Sequence, residues 1–286
     1  MQAVIIAGGL GKRLRPLTLT RPKALVPLVN KPQVVHILEA LPPSCEEAIL
    51  AVNYRFAQVR DFFRDHEFRV KVRVVDEPTP LGTAGALKNL ERLVHGPFAV
   101  YNGDVVDSID FDDLVRAHRK GRGIGTIAVW PVEDPSAFGV VEVSAGRVTR
   151  FLEKPAKGET TSHLVNAGRY VFEPEVFDFI DRSVAVSLER EVFPRLIERG
   201  LTAFPFEGWW SDAGTLPNYL NAQHLLLAAG HGKIAPDADV TSGTLQTPVA
   251  IGAGSFVEGR LGPDVVLGRS CKVGRAVVRN TALLDG

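Results

Sequence analysis

The chain of 286 residues predicts an α/β fold, a mostly parallel sheet flanked by helices, with a short β-helix at its C-terminal end. Three observations carry that expectation. Short apolar runs alternate with amphipathic stretches from the N-terminus to Trp130, the pattern of βαβ units whose crossovers set parallel strands side by side. After Trp130 the alternation gives way to a hairpin pattern. From about residue 233 no helical period is visible, and apolar residues recur six positions apart. That is the spacing of a hexapeptide β-helix, in which each hexapeptide forms one side of a prism and turns its apolar residue inward.

The first strand is Ala3–Ala7, a short apolar run stopped by Gly8-Gly9. Ala48–Val52, Val70–Asp76, Phe98–Tyr101 and Ile124–Trp130 follow as strands. Between them Tyr54–Asp65, Thr83–Val94 and Phe111–Lys120 carry apolar residues at helical spacing. Right-handed crossovers then place the loops after these strands along one edge, where open sheets of this kind bind ligands. Val140–Val143 and Val148–Leu152, joined by Ser144-Ala145-Gly146, read as a hairpin, and Leu164–Phe172 as a further strand. Helices are expected around Pro174–Ile180 and Leu188–Glu198, and over residues 217–230, the last closed by a glycine.

In the tail, Ile251, Val257, Leu261, Leu267 and Val273 take the inward positions, and Gly252, Gly268 and Gly274 directly follow three of them. The expected division is a first domain over 1–232 and a left-handed β-helix over 233–286. The backbone groups of a last coil stay open unless a partner chain or an extension covers them, so a homo-oligomer is expected, through the β-helix or the first domain.

Thirty-three Lys and Arg balance thirty-three Asp and Glu. A neutral chain lacks the broad basic face of a nucleic-acid or membrane-surface binder, and neither partner is expected. The charge is unevenly spread, however. Residues 1–38 hold six Lys or Arg and no acid, and five of the six fall between Lys12 and Lys23. Such local positive potential suits a small polyanion. Cys45 and Cys271 are too few and too far apart for a disulfide framework or a zinc site. The expected compartment is therefore reducing, most simply the cytoplasm. No apolar run approaches the roughly 18–20 residues of a bilayer span, and the N-terminus lacks the basic region of a signal peptide.

The basic cluster sits on Gly8-Gly9-Leu10-Gly11-Lys12-Arg13. Glycines let backbone N–H groups turn inward and approach an anion closely. The string satisfies neither the P-loop nor the dinucleotide fingerprint. In full it reads GGLGKRLRPLT, then RPKALVPL and NKP. Further along come LGTAGAL (81–87), NGD (102–104), FGV (138–140), EKP (153–155), NAG (166–168) and WWSDAGT (209–215). In this order the motifs resemble the signature of the sugar nucleotidyltransferases, the NDP-sugar pyrophosphorylases, and LGTAGALK is most similar to the mannose-1-phosphate guanylyltransferases among them. A C-terminal hexapeptide repeat also fits that family.

The resemblance implies a Rossmann-like sandwich of the nucleotide-diphospho-sugar transferase type. It implies a reaction that joins a nucleoside triphosphate to a sugar 1-phosphate and releases pyrophosphate. Both reactants are anions, so the protein must neutralise charge and align them. By similarity, Arg13 and Lys23 serve the phosphates, and Asp104 and Asp212 hold Mg2+, an ion that takes one or two carboxylates plus phosphate oxygens. Asp104 directly follows the apolar stretch FAVYNG, and Asp212 stands in WWSDAG. Lys154 resembles the lysine that grips the sugar phosphate, while Glu153, Asn166 and the backbone of Gly139 would meet sugar hydroxyls. Leu10, Gly11, Leu81 and Gly82 would line the base pocket. Lys12 departs from the pattern, in which threonine is common.

Glu77 bears on the choice of base. Thymidylyl-type members carry glutamine where Glu77 falls. An ionised carboxylate only accepts hydrogen bonds. Guanine offers N1–H and N2–H side by side, whereas thymine and uracil flank one N–H with carbonyls. Glu77 thus favours GTP, and independently the resemblance of LGTAGALK implies mannose 1-phosphate as the sugar phosphate. The alternatives are a thymidylyl- or uridylyltransferase acting on glucose 1-phosphate, and a non-catalytic regulatory subunit that binds nucleotide sugar. His36, on an apolar helix, is expected to be packed rather than catalytic.

Overall fold

The computed structural model describes all 286 residues, which divide into two compact units. The first comprises Met1–Leu10 and Ile37–Trp210, the second Gly11–His36 and Ser211–Gly286.

The first unit is built on nine strands, labelled along the chain β1 (Gln2–Ile6), β2 (Glu47–Val52), β3 (Lys71–Asp76), β4 (Phe98–Asn102), β5 (Gly125–Pro131), β6 (Gly139–Ser144), β7 (Arg147–Glu153), β8 (Leu164–Phe172) and β9 (Leu201–Pro205). They form one sheet in the order β3-β2-β1-β4-β8-β5-β9-β7-β6. Parallel pairing joins the first four of these and links β5 to β9. Antiparallel pairing joins β8 to β4 and β5, and β7 to β9 and β6. The parallel region is therefore mainly the N-terminal half, where helical crossovers such as Phe56–Arg64 connect the strands. The β6–β7 link is a tight turn with Ala145 and Gly146 at φ 49° and 76°, and a link that short permits only antiparallel neighbours.

The central strands are apolar on both faces because helices cover both. Ala3, Val4 and Ile5 of β1 and Phe98, Ala99 and Val100 of β4 are fully buried. Aromatic rings fill the core beneath β8. Tyr170 stacks on Phe172 at 5.5 Å, and Phe193 meets Tyr170 at 5.3 Å and Phe151 at 5.0 Å. The helix Phe111–Gly121 starts at Asp110, whose carboxylate accepts from the Asp113 N–H, and stops at Arg122 in the left-handed region. The helix expected over Leu188–Glu198 is a π-helical turn, Leu188–Val192, followed by an α-helix, Phe193–Ile197. The break falls at Pro194, which lacks the N–H of a continuous ladder and suits the first turn of a new helix.

In the second unit, Pro27–Leu28 and Lys31–Pro32 pair as a hairpin through Val29 and Asn30, both at positive φ. The helix Leu216–Ala228 is capped by the Thr215 hydroxyl and carries a proline in its first turn. It holds the hairpin from one side: Tyr219 Oη donates to Pro27 O at 2.6 Å, and Gln223 Oε1 accepts from Val29 N at 2.5 Å. Asn30 Nδ2 donates to Leu267 O at 2.6 Å in the C-terminal region.

That C-terminal region is a stack of short parallel strands in three ladders. Val249 pairs with Val265 and Val265 with Thr281, sixteen residues on each time, and Phe256 pairs with Lys272 at the same offset. The expected inward residues Ile251, Val257, Leu261, Leu267 and Val273 are all buried. The arrangement is consistent with a β-helix. Its coil is shorter than the eighteen residues of three strict hexapeptides because the step from Val257 to Leu261 is four residues, not six. No helix of the chain is long and apolar enough to cross a membrane.

Candidate active site

In the first unit, Glu77 follows β3 and is 5% exposed. Its backbone N–H donates to Val52 O at 2.7 Å, and its carbonyl accepts from Asn53 Nδ2 at 2.5 Å. The carboxylate turns back onto its own loop, where Oε1 accepts from the Leu81 N–H at 3.0 Å. Oε2 lies against Gly8, close enough that a Cβ there would stand 2.8 Å from it. The first glycine after β1 therefore makes room for the carboxylate. Burial pushes the Glu77 carboxyl above the ordinary range, and the Leu81 N–H partly opposes this.

The loop is held from behind by Val186. Its N–H donates to Leu81 O at 2.9 Å, and its carbonyl accepts from Ala84 N at 3.0 Å. Gly82 sits at φ 74°, and a Cβ there would stand 2.6 Å from that carbonyl. Only glycine fits on both counts. Leu10 is 43% exposed at the end of the β1 loop. The Glu77 carboxylate thus brings Gly8 and the Leu81-Gly82 turn together in one notch, with Asn53 against Gly8.

The second group is built on the β6–β7 hairpin and β8. Gly139 and Glu153 are cross-strand partners, and the Glu153 carboxylate lies over Gly139, where a Cβ would come within 3.0 Å of Oε2. Lys154 takes φ 53°, its N–H bonds to Phe138 O at 2.9 Å, and its Nζ stands 3.8 Å from Glu153 Oε1. Asn166 donates to Tyr170 Oη at 2.8 Å and accepts from the Gly168 N–H at 3.0 Å. The β8 register shifts between Asn166 and Tyr170 at this point, so Asn166 holds a bulge as well as presenting an amide.

Glu153 titrates above the ordinary carboxylate range, first because it is buried and second because Glu189 repels its charge, with Lys154 opposing. Glu189 had no motif to mark it; its Oε2 accepts from the hydroxyls of Thr83, in the LGTAGAL motif, at 2.8 Å and of Ser187 at 2.7 Å. Tyr170 likewise escaped the sequence reading, because an aromatic in an apolar strand signals core and not a hydroxyl aimed at Asn166.

Asp104 occupies the half-buried turn Asn102-Gly103-Asp104 between β4 and the short strand Val105–Asp107. Gly103 N donates to Ile6 O at 2.9 Å, and a Cβ on Gly103 would stand 2.8 Å from that same oxygen. The turn is thus pressed against the end of β1. Trp210 donates from Nε1 to Ala167 O at 3.0 Å and packs edge-on against Phe138 at 5.5 Å, so it is a structural contact to the NAG segment.

In the second unit, Gly11 sits at φ 60°, with its carbonyl accepting from the Thr18 hydroxyl at 2.8 Å and the Lys23 Cβ packed beside it. Lys12–Leu14 form one 3-10 turn and Lys23–Leu25 another. Arg13 is exposed. Its guanidinium and the Asp212 carboxylate both crowd Gly214, at 3.1 Å and 3.2 Å from where a Cβ would be. Asp212 is half-buried and accepts a hydrogen bond from Asn218 Nδ2. Arg13, Asp212 and the glycine of WWSDAGT are therefore neighbours. His36 is buried, with Nε2 2.8 Å from Leu28 O, in keeping with a packed role.

The profile of the family described as Nucleotidyl transferase matches residues 2–229. The chain is 36% identical to mannose-1-phosphate guanylyltransferase 1 of Arabidopsis thaliana, over 96% of this chain and 78% of that protein. Among solved structures, HddC from Yersinia pseudotuberculosis complexed with GMP-PN superposes with a TM-score of 0.68 at 25% identity, over 78% of this chain and 98% of that one. A UDP-glucose pyrophosphorylase complexed with UDP-glucose shares the fold, with a TM-score of 0.69 at 22% identity over 80% of this chain and 98% of that one. A profile match over most of the chain and a relative of this identity covered over most of its length carry one conclusion: the chain belongs to the nucleotidyl transferase family.

Proposed function

We propose that this protein joins GTP to mannose 1-phosphate, giving GDP-mannose and pyrophosphate. The observation that carries the choice of base is the buried Glu77 carboxylate, tied by Oε1 to the Leu81 N–H and with Oε2 beside Gly8. Side-by-side acceptors match the N1–H and N2–H edge of guanine and meet only carbonyls on uracil or thymine. The guanylyltransferase relatives support the same base and sugar.

In the reaction, an oxygen of the sugar phosphate forms a bond to the α-phosphorus while the bond from that phosphorus to the bridging oxygen breaks. Pyrophosphate leaves with the electron pair. No enzyme nucleophile is required; the residues align and neutralise. Leu81 and Gly82 line the base, with the backbone of Leu10 and Gly11. Arg13 and Lys23 meet the triphosphate, the fork of Arg13 suiting phosphate oxygens at the reacting centre. Lys154 holds the sugar phosphate. Glu153, Asn166 and the Gly139 backbone hold sugar hydroxyls.

In this reading Asp104 and Asp212 would hold a divalent cation. Asp104 and Asp212 are half-buried hard oxygen donors, and magnesium binds through one or two carboxylates with phosphate oxygens completing its shell. Bound there, Mg2+ would neutralise phosphate charge. Within the same proposal the catalytic domain spans 1–232, and a left-handed β-helix over 233–286, supported by its parallel sixteen-residue coils, assembles a homo-oligomer in the cytoplasm; light scattering tests the assembly.

The function is tested by pyrophosphate release from a panel of nucleoside triphosphates and sugar 1-phosphates with Mg2+. GTP with mannose 1-phosphate is expected to give the highest kcat/KM, and Asp104→Asn is expected to lose turnover while keeping the melting temperature. A folded protein silent across the panel overturns the proposal.

A further inference from the structure

Arg169 is a charged residue in the middle of the apolar strand β8, next to the NAG segment, and its side chain is 3% exposed. Its surroundings are specific. Nη1 donates to Asn102 O at 3.0 Å and to Gly168 O at 3.2 Å, and Nη2 donates to Val105 O at 2.8 Å. Asn102 and Val105 bracket the Gly103-Asp104 turn, so one guanidinium holds the carbonyl on each side of it. Nε stands 2.8 Å from Asp107 Oδ2, without the alignment of a directed hydrogen bond, so that contact is ionic. Asp107 is itself fixed, its Oδ1 accepting from the Ile109 N–H at 3.1 Å. The guanidinium lies over the Tyr101 ring at 4.6 Å, and Tyr101 is its cross-strand partner on β4.

We propose that Arg169 is a positioning residue that fixes the Asp104 turn for metal binding, by clamping the backbone carbonyls of Asn102 and Val105 while Asp107 anchors its charge. The inference rests on the reading of Asp104 as a metal carboxylate. Lysine cannot replace the clamp, because a single ammonium has no planar fork to span two carbonyls and a carboxylate at once. A guanidinium serving only core stability has no reason to bracket this particular turn, and the two roles differ in what they do to metal affinity.

The test uses the full chain with Mn2+ as probe. Binding is read by electron paramagnetic resonance at saturating GDP-mannose, and the Mg2+ concentration for half-maximal pyrophosphate release is read in parallel. Arg169→Lys is expected to weaken Mn2+ binding at least tenfold and to raise the Mg2+ requirement by a similar factor. In an Asp104→Asn background the same change is expected to add less than twofold, because both act through one carboxylate. Phe193→Ala, a core change elsewhere in the first unit, is expected to leave both metal readouts within twofold.

Metal affinity within twofold of wild type in Arg169→Lys overturns the proposal, as does full additivity with Asp104→Asn or an equal shift in Phe193→Ala. Where Arg169→Lys does not fold, Asp107→Asn, which keeps the fork and removes its anchor, is read the same way; a threefold or greater loss is expected, and no change overturns the proposal. If Asp104→Asn leaves Mn2+ binding intact, the metal reading of Asp104 has failed and takes the inference with it. Loss of the shift in Arg169→Lys alone marks the failure of the clamp.

Discussion

Replacing Glu77 by glutamine should convert a guanine-reading edge into one that prefers a pyrimidine. The structure sets how the amide will lie. The Leu81 N–H, now bonded to Oε1 at 3.0 Å, requires an acceptor, so the amide oxygen takes that place. The NH2 group then occupies the place of Oε2, beside Gly8. A donor stands where guanine presents donors. One hydrogen bond to a charged group is lost, worth about 1.5–3 kcal/mol, and two donors face each other in its place. A loss of about 2–3 kcal/mol lowers kcat/KM for GTP by roughly 30- to 150-fold. UTP, whose ring carbonyls accept from the new amide, gains about 1 kcal/mol, or roughly fivefold. The assay is pyrophosphate release with mannose 1-phosphate at subsaturating GTP and UTP, alongside the melting temperature. A GTP value within threefold of wild type, with UTP unchanged, would show that the carboxylate does not face the base. Equal losses for GTP, UTP and ATP would mean a damaged loop and would refute the reasoning equally.

Gly8→Ala tests the same notch from the other wall: the new Cβ would stand 2.8 Å from Oε2, while Oε1 is pinned, so kcat/KM for GTP should fall tenfold or more with little change in melting temperature. The raised pKa of Glu77 has a functional sign. As pH falls, the carboxylate protonates earlier than an ordinary glutamate and ceases to be a pure acceptor, so kcat/KM for GTP should drop at a higher pH than that for UTP, and Glu77→Gln should lack this limb. For Glu153 the sign concerns stability. Its folded pKa is raised, so its contribution is present below the ordinary carboxylate range and is lost as pH rises through the folded value; Glu153→Gln should raise the denaturant midpoint at neutral pH and leave it unchanged in acid. Phe193→Ala empties a fully buried site bounded by Tyr170, Phe172 and Phe151 and should cost about 3–5 kcal/mol in urea unfolding.

The sequence made some of this legible and concealed the rest for definite reasons. Strand positions were readable because burial on both faces forces apolar runs, and the change from crossovers to a hairpin was readable at Ser144-Ala145-Gly146. Pairing across long sequence gaps was not. Nothing local says that β8 inserts between β4 and β5, and that insertion supplies part of the sheet's antiparallel pairing. The coil length of the C-terminal strands was within reach, since the step from Val257 to Leu261 already broke the six-residue period. Ordered motifs flagged Glu153 and Asn166, and the thymidylyl-type comparison flagged Glu77, but nothing flagged Glu189 or Tyr170, which acquire their surroundings only through tertiary contacts with Thr83 and Asn166.

Arg169 is the instructive case, because a signal was present. In Leu164–Phe172, nine residues with both faces of the strand covered, it is the only formal charge. A buried cation is tolerated when paired and hydrogen-bonded, so its presence demanded a buried anion nearby. The turn after β4 offers Asp104 and Asp107. Sequence chemistry alone does not choose between them, and assigning the first to metal leaves the second as the counter-ion. The Arg169–Asp107 contact at 2.8 Å is the pairing that this division of labour requires. A lone charge in an apolar strand can therefore be read as a constraint on its neighbours: an acid nearby has to neutralise it, and here that acid is Asp107.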